Sequence, residues 1–233
     1  MPTPRTHGRA AYLPATATLV VADPHVGRAD AANVGPLLDE RADLRTRLAA
    51  AISATDPATV VFAGDLLHRF GAPTDRAVDA LRDLAGLVRT AGARPVAVAG
   101  NHDGGLHDAW PGPVHDAHRL PDGTVVCHGH EVPGTDAERY VCGHVHPAIT
   151  VAGRKRDCFL RTGASRDRPT LVVPAFSTVA AGVRIERLER VDSPLVPDLD
   201  AVRPGVVEAG AGEEGADGAL WFPPLDDLRP HLR

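Results

Sequence analysis

The apolar run Pro95-Val96-Ala97-Val98-Ala99 stops abruptly at Gly100-Asn101-His102-Asp103. Small and β-branched residues without polar alternation read as a strand covered on both faces, as in parallel sheets, and its C-terminal end delivers three polar side chains to one point. Desolvating Asn101, His102 and Asp103 together is costly unless they bond a loop or hold an ion. The arrangement recurs: Thr18-Leu19-Val20-Val21-Ala22 ends at Asp23-Pro24-His25, and Thr59-Val60-Val61-Phe62-Ala63 ends at Gly64-Asp65. Asp23 and His25, two apart in extended backbone, would point to the same side and could share one cation. The competing reading is an Asx-type turn begun by Asp23 before Pro24.

Between these strands the pattern is helical. Pro36 suits a first helical turn, and Leu37, Leu44, Leu48 and Ile52 keep one face apolar. Thr74 predicts the cap of a second helix, with Val78, Leu81, Leu84 or Ala85, and Val88 on its buried side and Gly92 at its end. Strand, helix, strand is the crossover unit of a parallel sheet. Three strands thus carry an acid or an amide to one sheet edge, where open α/β sheets place their sites.

From Leu106 onward the segments shorten. Thr124-Val125-Val126-Cys127 precedes His128-Gly129-His130, and Tyr140-Val141-Cys142 precedes Gly143-His144-Val145-His146. Further strands are expected at 149–151, 158–160, 170–173 and 183–185, giving a second, mostly antiparallel sheet. A single domain is expected over 1–233, with a core of about 10–191, a flexible connection over 192–218 rich in Pro, Gly and acids, and an apolar end over 219–233 that docks on the core.

Composition narrows the chemistry. The cysteines Cys127, Cys142 and Cys158 have no C-x-x-C spacing, which argues against a disulfide framework or a zinc knuckle. A net charge of −5 gives no global attraction to nucleic acid or an anionic membrane, so a polyanion must be caught locally. Arg154-Lys155-Arg156, with Arg161, Arg166 and Arg168, is either a phosphate-backbone track or a solvated hairpin partly neutralised by Asp157 and Asp167. Arg154 and Arg156 are its candidate substrate contacts. No apolar run approaches the roughly 18 residues that span a bilayer, and Met1 to Arg9 lack the apolar core of a signal peptide, so a soluble cytoplasmic protein is expected.

Taken in order, Asp23-Pro24-His25, Gly64-Asp65, Gly100-Asn101-His102-Asp103, His128 and Gly143-His144-Val145-His146 resemble the D-x-H, G-D, G-N-H-[DE], H and G-H-x-H pattern of the calcineurin-like metallophosphoesterases. The resemblance covers roughly residues 18–190. It implies an α/β fold, a four-layer α/β/β/α sandwich of two mixed sheets flanked by helices, with metal ligands at strand C-terminal ends. It implies that Asp23, His25, Asp65 and His146 hold one metal and that Asp65, Asn101, His128 and His144 hold the other, Asp65 bridging them. His102 would then face the phosphate and protonate the leaving oxygen, with Asp103 orienting its ring.

Mixed oxygen and imidazole donors suit Mn²⁺, Fe or Zn²⁺ better than Mg²⁺. Two such ions about 3.5–4 Å apart can clamp an in-line displacement at phosphorus, with a bridging hydroxide as the nucleophile. His128 and His130 compete for one ligand position, which the resemblance assigns to His128. His68 either lines the pocket or is structural.

Within the family, Gly143-His144-Val145-His146-Pro147-Ala148-Ile149, Cys158-Phe159-Leu160 and Leu171-Val172-Val173-Pro174-Ala175-Phe176 look like the archaeal and bacterial branch that includes the DNA-ligase-associated metallophosphoesterases. That likeness implies Mn²⁺-dependent phosphodiesterase or nuclease activity on DNA, RNA or nucleotides, a place in DNA repair, and helicase or ligase partners. A small-molecule phosphomonoesterase or cyclic-nucleotide hydrolase on the same fold is the alternative. A non-catalytic scaffold is the third reading, and the complete ligand set argues against it.

Overall fold

The computed structural model describes residues 3–28, 40–68, 71–163, 168–207 and 218–232. The helix start expected at Pro36 and Leu37, the run 209–217, and Arg166 and Asp167 lie outside the described residues. Among the described residues no helix is long and apolar enough to cross a membrane.

The first sheet runs β1 (Arg5–His7), β2 (Ala10–Leu13), β3 (Thr18–Val21), β4 (Thr59–Ala63), β5 (Arg94–Val98) and β6 (Val114–His115), in that spatial order. The pairs from β3 to β6 are parallel, while β1, β2 and β3 pair antiparallel as an edge the sequence pattern did not predict. Each central strand is apolar on both faces because each face meets a core. Leu19 and Val21 of β3, with Val60 and Phe62 of β4, pack against the helices. Val20, Val61, Val96 and Val98 point the other way, into a core shared with the second sheet.

Two long helices cover the first of these faces, α1 (Glu40–Thr55) through Leu44, Leu48 and Ile52, and α2 (Asp75–Thr90) through Leu81, Leu84, Ala85 and Val88. Thr74 caps α2 as its sequence suggests, the side-chain oxygen accepting from the Ala77 N–H at 3.2 Å. The short α3 (Leu106–Ala109) follows β5.

The second sheet contains β7 (Ala117–Arg119), β8 (Thr124–Cys127), β9 (Arg139–Cys142), β10 (Pro147–Val151), β11 (Arg154–Arg161), β12 (Thr170–Val172), β13 (Val183–Arg184), β14 (Arg203–Val207) and β15 (Ala219–Trp221). Its inner face gives Val126, Val141, Phe159 and Leu171 to the shared core; its outer face gives Val125, Tyr140, Cys158 and Leu160 to a third cluster. The two mixed sheets flanked by helices are therefore present. The outer cover of the second sheet is thin: a 3-10 turn at Ile185–Arg187, the buried side chains of Val191, Leu195, Val196 and Leu199, and α4 (Leu225–Leu228).

The second sheet is mostly antiparallel, as its short segments suggest, and it is mixed because β8 with β9, β9 with β12, and β10 with β13 pair parallel. An irregular loop joins β8 to β9 and intervening strands separate the other two pairs, so no long helical pattern announces these crossovers. The stretch 192–207 is not a loose connection: its apolar residues fill the outer core and β14 pairs with both β11 and β15. Pro204 and Gly205 hide that strand in the sequence, yet Pro204 sits opposite Leu160 and the ring of Trp221 lies against Gly205.

Candidate metal centre

The ends of β3, β4, β5, β8 and β9 meet where the two sheets face each other. Past the strands the pairing continues, with the Asp23 N–H donating to Gly64 O at 3.1 Å, His25 N–H to Asp65 O at 3.0 Å and Gly143 N–H to His128 O at 2.9 Å. The backbone there is bent rather than extended. Asp23, His25, Asp65, His144 and His146 all take left-handed φ values, between 46° and 68°. Each non-glycine residue so held costs roughly 1–3 kcal/mol, a strain that clusters at functional sites. Asp23 and His25 thus converge by two left-handed turns, not by alternation along extended backbone.

Two glycines are demanded by close approach. A Cβ on Gly64 would run into the His128 ring, and one on Gly100 into the backbone nitrogen and Oδ1 of Asp65.

Two buried carboxylates stand between two sets of imidazoles. Asp23 Oδ2 accepts from the His144 N–H at 2.9 Å and lies 3.5 Å from His146 Nε2, while Oδ1 lies 3.5 Å from His128 Nδ1. Asp65 Oδ1 accepts from the His102 N–H at 3.0 Å and lies 3.4 Å from His128 Nε2, while Oδ2 is 3.9 Å from His25 Nε2. His25 Nε2 and His146 Nε2 stand 3.1 Å apart. His128 Nε2 is 2.9 Å from Asn101 Oδ1 and 3.1 Å from His144 Nδ1.

Donor atoms of Asp23, His25 and His146 lie within 4.8 Å of one another, as do those of Asp23, Asp65 and His128. Asp23 belongs to both groups, where the resemblance assigns sharing to Asp65. The two oxygens of Asp65 nevertheless face the two sides, one toward His25 and one toward His128.

These residues fit a pair of cations. Asp23 is 0% exposed and its Oδ1 has no hydrogen-bond partner, an orphaned buried acceptor that a cation would satisfy. The donors are carboxylate, amide oxygen and imidazole, a set that suits Mn²⁺, Fe or Zn²⁺. The cysteines are buried in the second sheet, where burial pushes the Cys127 thiol up to about 12 and leaves no thiolate to compete.

Charge follows from this crowding. Burial pushes His25 down to about 3 and His128 down to about 4, the attraction of Asp23 only partly opposing it. Neutral imidazoles are the form that binds metal. Burial, then the charge of Asp23, raises Asp65 to about 7. Burial would also raise Asp23, but the hydrogen bond and charge of His146, with the charges of His128 and His25, outweigh it and hold Asp23 low. His146 is raised in turn: burial opposes its charge, and the Asp23 hydrogen bond and carboxylate charge win.

The remaining expected site residues are distributed unevenly. His102 has 31% of its side chain exposed, with Nε2 4.0 Å from Asp65 Oδ2 and its ring 6.0 Å from that of His25. Asp103 does not orient that ring. Its carboxylate accepts the N–H groups of Leu66 at 3.1 Å, Leu67 at 2.8 Å and Gly100 at 2.8 Å, lacing the loop after β4 to the turn after β5. His68 packs edge-on to His25 at 5.7 Å, and the His130 ring lies 5.2 Å from His128 on the outer side of the cluster.

Arg154 and Arg156 are not brought to the cluster. They pair with Val151 and Ile149 along a hairpin that leads away from His146, so Arg154 lies about 16 Å along the strands from that residue. Arg161 stacks 3.8 Å over Trp221, and Arg168 donates to Asp136 at 2.9 Å, so these two arginines serve the fold. Arg28 is not part of any motif. Its charge nevertheless lowers the proton affinity of His25, His102 and His146, and a cation three residues after His25 was the signal available in the sequence.

The family model described as calcineurin-like phosphoesterase matches residues 16–180. Among curated proteins none matches. The crystal structure of the Pseudomonas putida nuclease MPE superposes with a TM-score of 0.61 at 24% identity, covering 90% of this chain and 96% of that one. Yfce, a phosphoesterase from E. coli, aligns with a TM-score of 0.46 at 14% identity over 82% of this chain and 87% of its own. With the match spanning every strand end that contributes to the cluster, the chain belongs to the calcineurin-like phosphoesterase family.

Proposed function

We propose that this chain is a dinuclear metal-dependent phosphodiesterase acting on nucleic acid or nucleotides, with Mn²⁺ as its metal. The observation that carries the reading is the convergence of Asp23, His25, Asp65, Asn101, His128, His144 and His146 around two buried carboxylates, one with an orphaned oxygen. Bound there, divalent cations supply an activated water and neutralise the phosphate. Asp23 and Asp65 hold the negative charge that attracts them, and His25, His128 and His144, kept low in proton affinity by burial, present free ring nitrogens. His102, half-buried at the rim beside Asp65, donates a proton to the leaving oxygen. Asp103 acts on that step only through the loop it ties down.

The Pseudomonas putida nuclease of the same fold is the precedent for a nucleic-acid substrate. A cytoplasmic role in DNA repair beside a helicase or ligase rests on the resemblance of the second half of the chain alone. The test is metal analysis of the purified protein coupled to a nitrophenyl diester, a nitrophenyl monoester and single-stranded DNA, each with Mn²⁺. The expected result is cleavage of the diester and the DNA, abolished by chelation. Cleavage of the monoester alone would overturn the phosphodiesterase reading, and a metal-loaded protein inert on all three would overturn the enzyme.

A further inference from the structure

Beside the cluster lies a cavity of about 510 Å³ whose wall includes His128 itself. Its other walls come from His115 at the end of β6, from Asp116 in the turn before β7, and from the loop that carries His130, Glu131 and Gly134. That loop is anchored, since the buried Ser193 hydroxyl donates to Gly129 O at 2.7 Å. We propose that this cavity holds the nucleoside that stays bonded to phosphorus during hydrolysis, an assignment that rests on the phosphodiesterase reading above.

Position gives the first argument. The cavity is lined by His128 and His130, whose rings are 5.2 Å apart. His102 is not in its wall and stands beside Asp65 and His25. A leaving oxygen that takes its proton from His102 departs toward His102, so a substituent lying in this cavity is the one retained. Hydrolysis forms a phosphorus–oxygen bond to water and breaks the one to the leaving alcohol, which carries off the proton. The retained nucleoside is released as its monophosphate.

Lining chemistry gives the second. Among the described residues no Arg or Lys contributes to the wall, while Asp116 and Glu131 do. Those carboxylates repel a further phosphate and accept from the N–H and O–H groups of a base and a sugar. His115 and His130 offer flat rings for stacking, the contact by which proteins hold unpaired bases. The volume falls within the roughly 300–1,000 Å³ of small-molecule sites.

Two measurements test this on wild-type protein, His130→Ala and Gly134→Trp. Gly134 lines the cavity and has open space where a side chain would grow, so a tryptophan there crowds the wall without displacing backbone. Calorimetric titration of the metal-loaded protein compares thymidine 5′-monophosphate with inorganic phosphate. The nucleotide should bind at least about tenfold tighter to wild type, and both variants should lose most of that advantage, since stacking of one base is worth about a factor of ten or more. Hydrolysis of thymidine 5′-p-nitrophenyl phosphate is then compared with methyl p-nitrophenyl phosphate, which shares the leaving group and differs only in the retained one. The wild-type ratio of kcat/KM should favour thymidine by a similar factor and fall toward one in both variants, with thermal midpoints confirming that they fold. Equal binding of nucleotide and phosphate, or a ratio near one in wild type, overturns the assignment. Tight nucleotide binding without hydrolysis of either diester retires the phosphodiesterase reading and leaves nucleoside binding in the cavity standing.

Discussion

His102 and Asp103 are neighbours with opposite surroundings. Asp103 is 4% exposed and fully engaged by three backbone amides, whereas His102 keeps 31% of its side chain open to solvent. Replacing His102 by alanine removes a proton donor without touching the donors that converge around Asp23 and Asp65. His102→Ala is expected to retain metal by elemental analysis while kcat drops about 10²–10⁴-fold, the usual worth of a positioned acid. Equal loss of metal and turnover would make His102 a ligand instead. Asp103→Ala orphans the amides of Leu66, Leu67 and Gly100, and buried unsatisfied groups cost about 1–3 kcal/mol each. A loss on the order of 3 kcal/mol in urea denaturation is expected; an unchanged stability with an altered pH–rate profile would restore the ring-orienting role. The sequence reveals the crowding of polar groups after Ala99, because short polar side chains after an apolar strand stand out. Which oxygen meets which amide depends on a loop from β4, more than thirty residues away in the chain, and no local pattern encodes it.

At the scale of elements, legibility follows from periodicity and punctuation. The central strands of the first sheet and α2 carry unbroken signals: apolar runs covered on both faces, and a Thr74 cap whose hydroxyl oxygen meets the Ala77 N–H. Thr74→Ala is expected to cost about 1 kcal/mol of stability in chemical denaturation with activity kept, because the cap satisfies one helix amide and gives no donor atom to the cluster. A loss of metal affinity in that variant would show that α2 helps position the site. The elements that escape reading are those whose partners are remote. β1, with the sequence Arg5-Thr6-His7, is polar and three residues long, and exists because β2 pairs with it. β14 contains Pro204 and Gly205, which locally argue against a strand, yet β11 and β15 flank it. The parallel pairing of β8, β9 and β12 could be inferred only from the requirement that His128 and His144 end at one edge.

For the whole molecule, the cluster is a source of instability that a cation relieves. The folded state keeps His25 and His128 neutral down to about 3 and about 4, so between those values and the ordinary imidazole range the unfolded chain binds more protons. Stability therefore rises with pH across that window and is lost as pH falls. Asp65 works in the other sense. Raised to about 7, it holds a proton in the folded state that the unfolded chain releases above the usual carboxylate range, so its effect on stability turns unfavourable as pH rises toward neutrality. Above that value a second negative charge sits beside Asp23 in a buried site, and divalent metal is what compensates it. At about pH 5.5 an ion must first expel the Asp65 proton, whereas at about pH 8 it meets an ionised pair. The rise in thermal midpoint caused by saturating Mn²⁺ is accordingly expected to be several degrees larger at about pH 8 than at about pH 5.5, measured by scanning fluorimetry on chelator-treated protein. Asp65→Asn should flatten that difference, because the group competing with the ion for a proton is gone. A metal-induced shift independent of pH in the unmodified protein would mean that the carboxylates are ionised across the whole range, and that the strain around Asp23 and Asp65 is carried by backbone geometry rather than by charge.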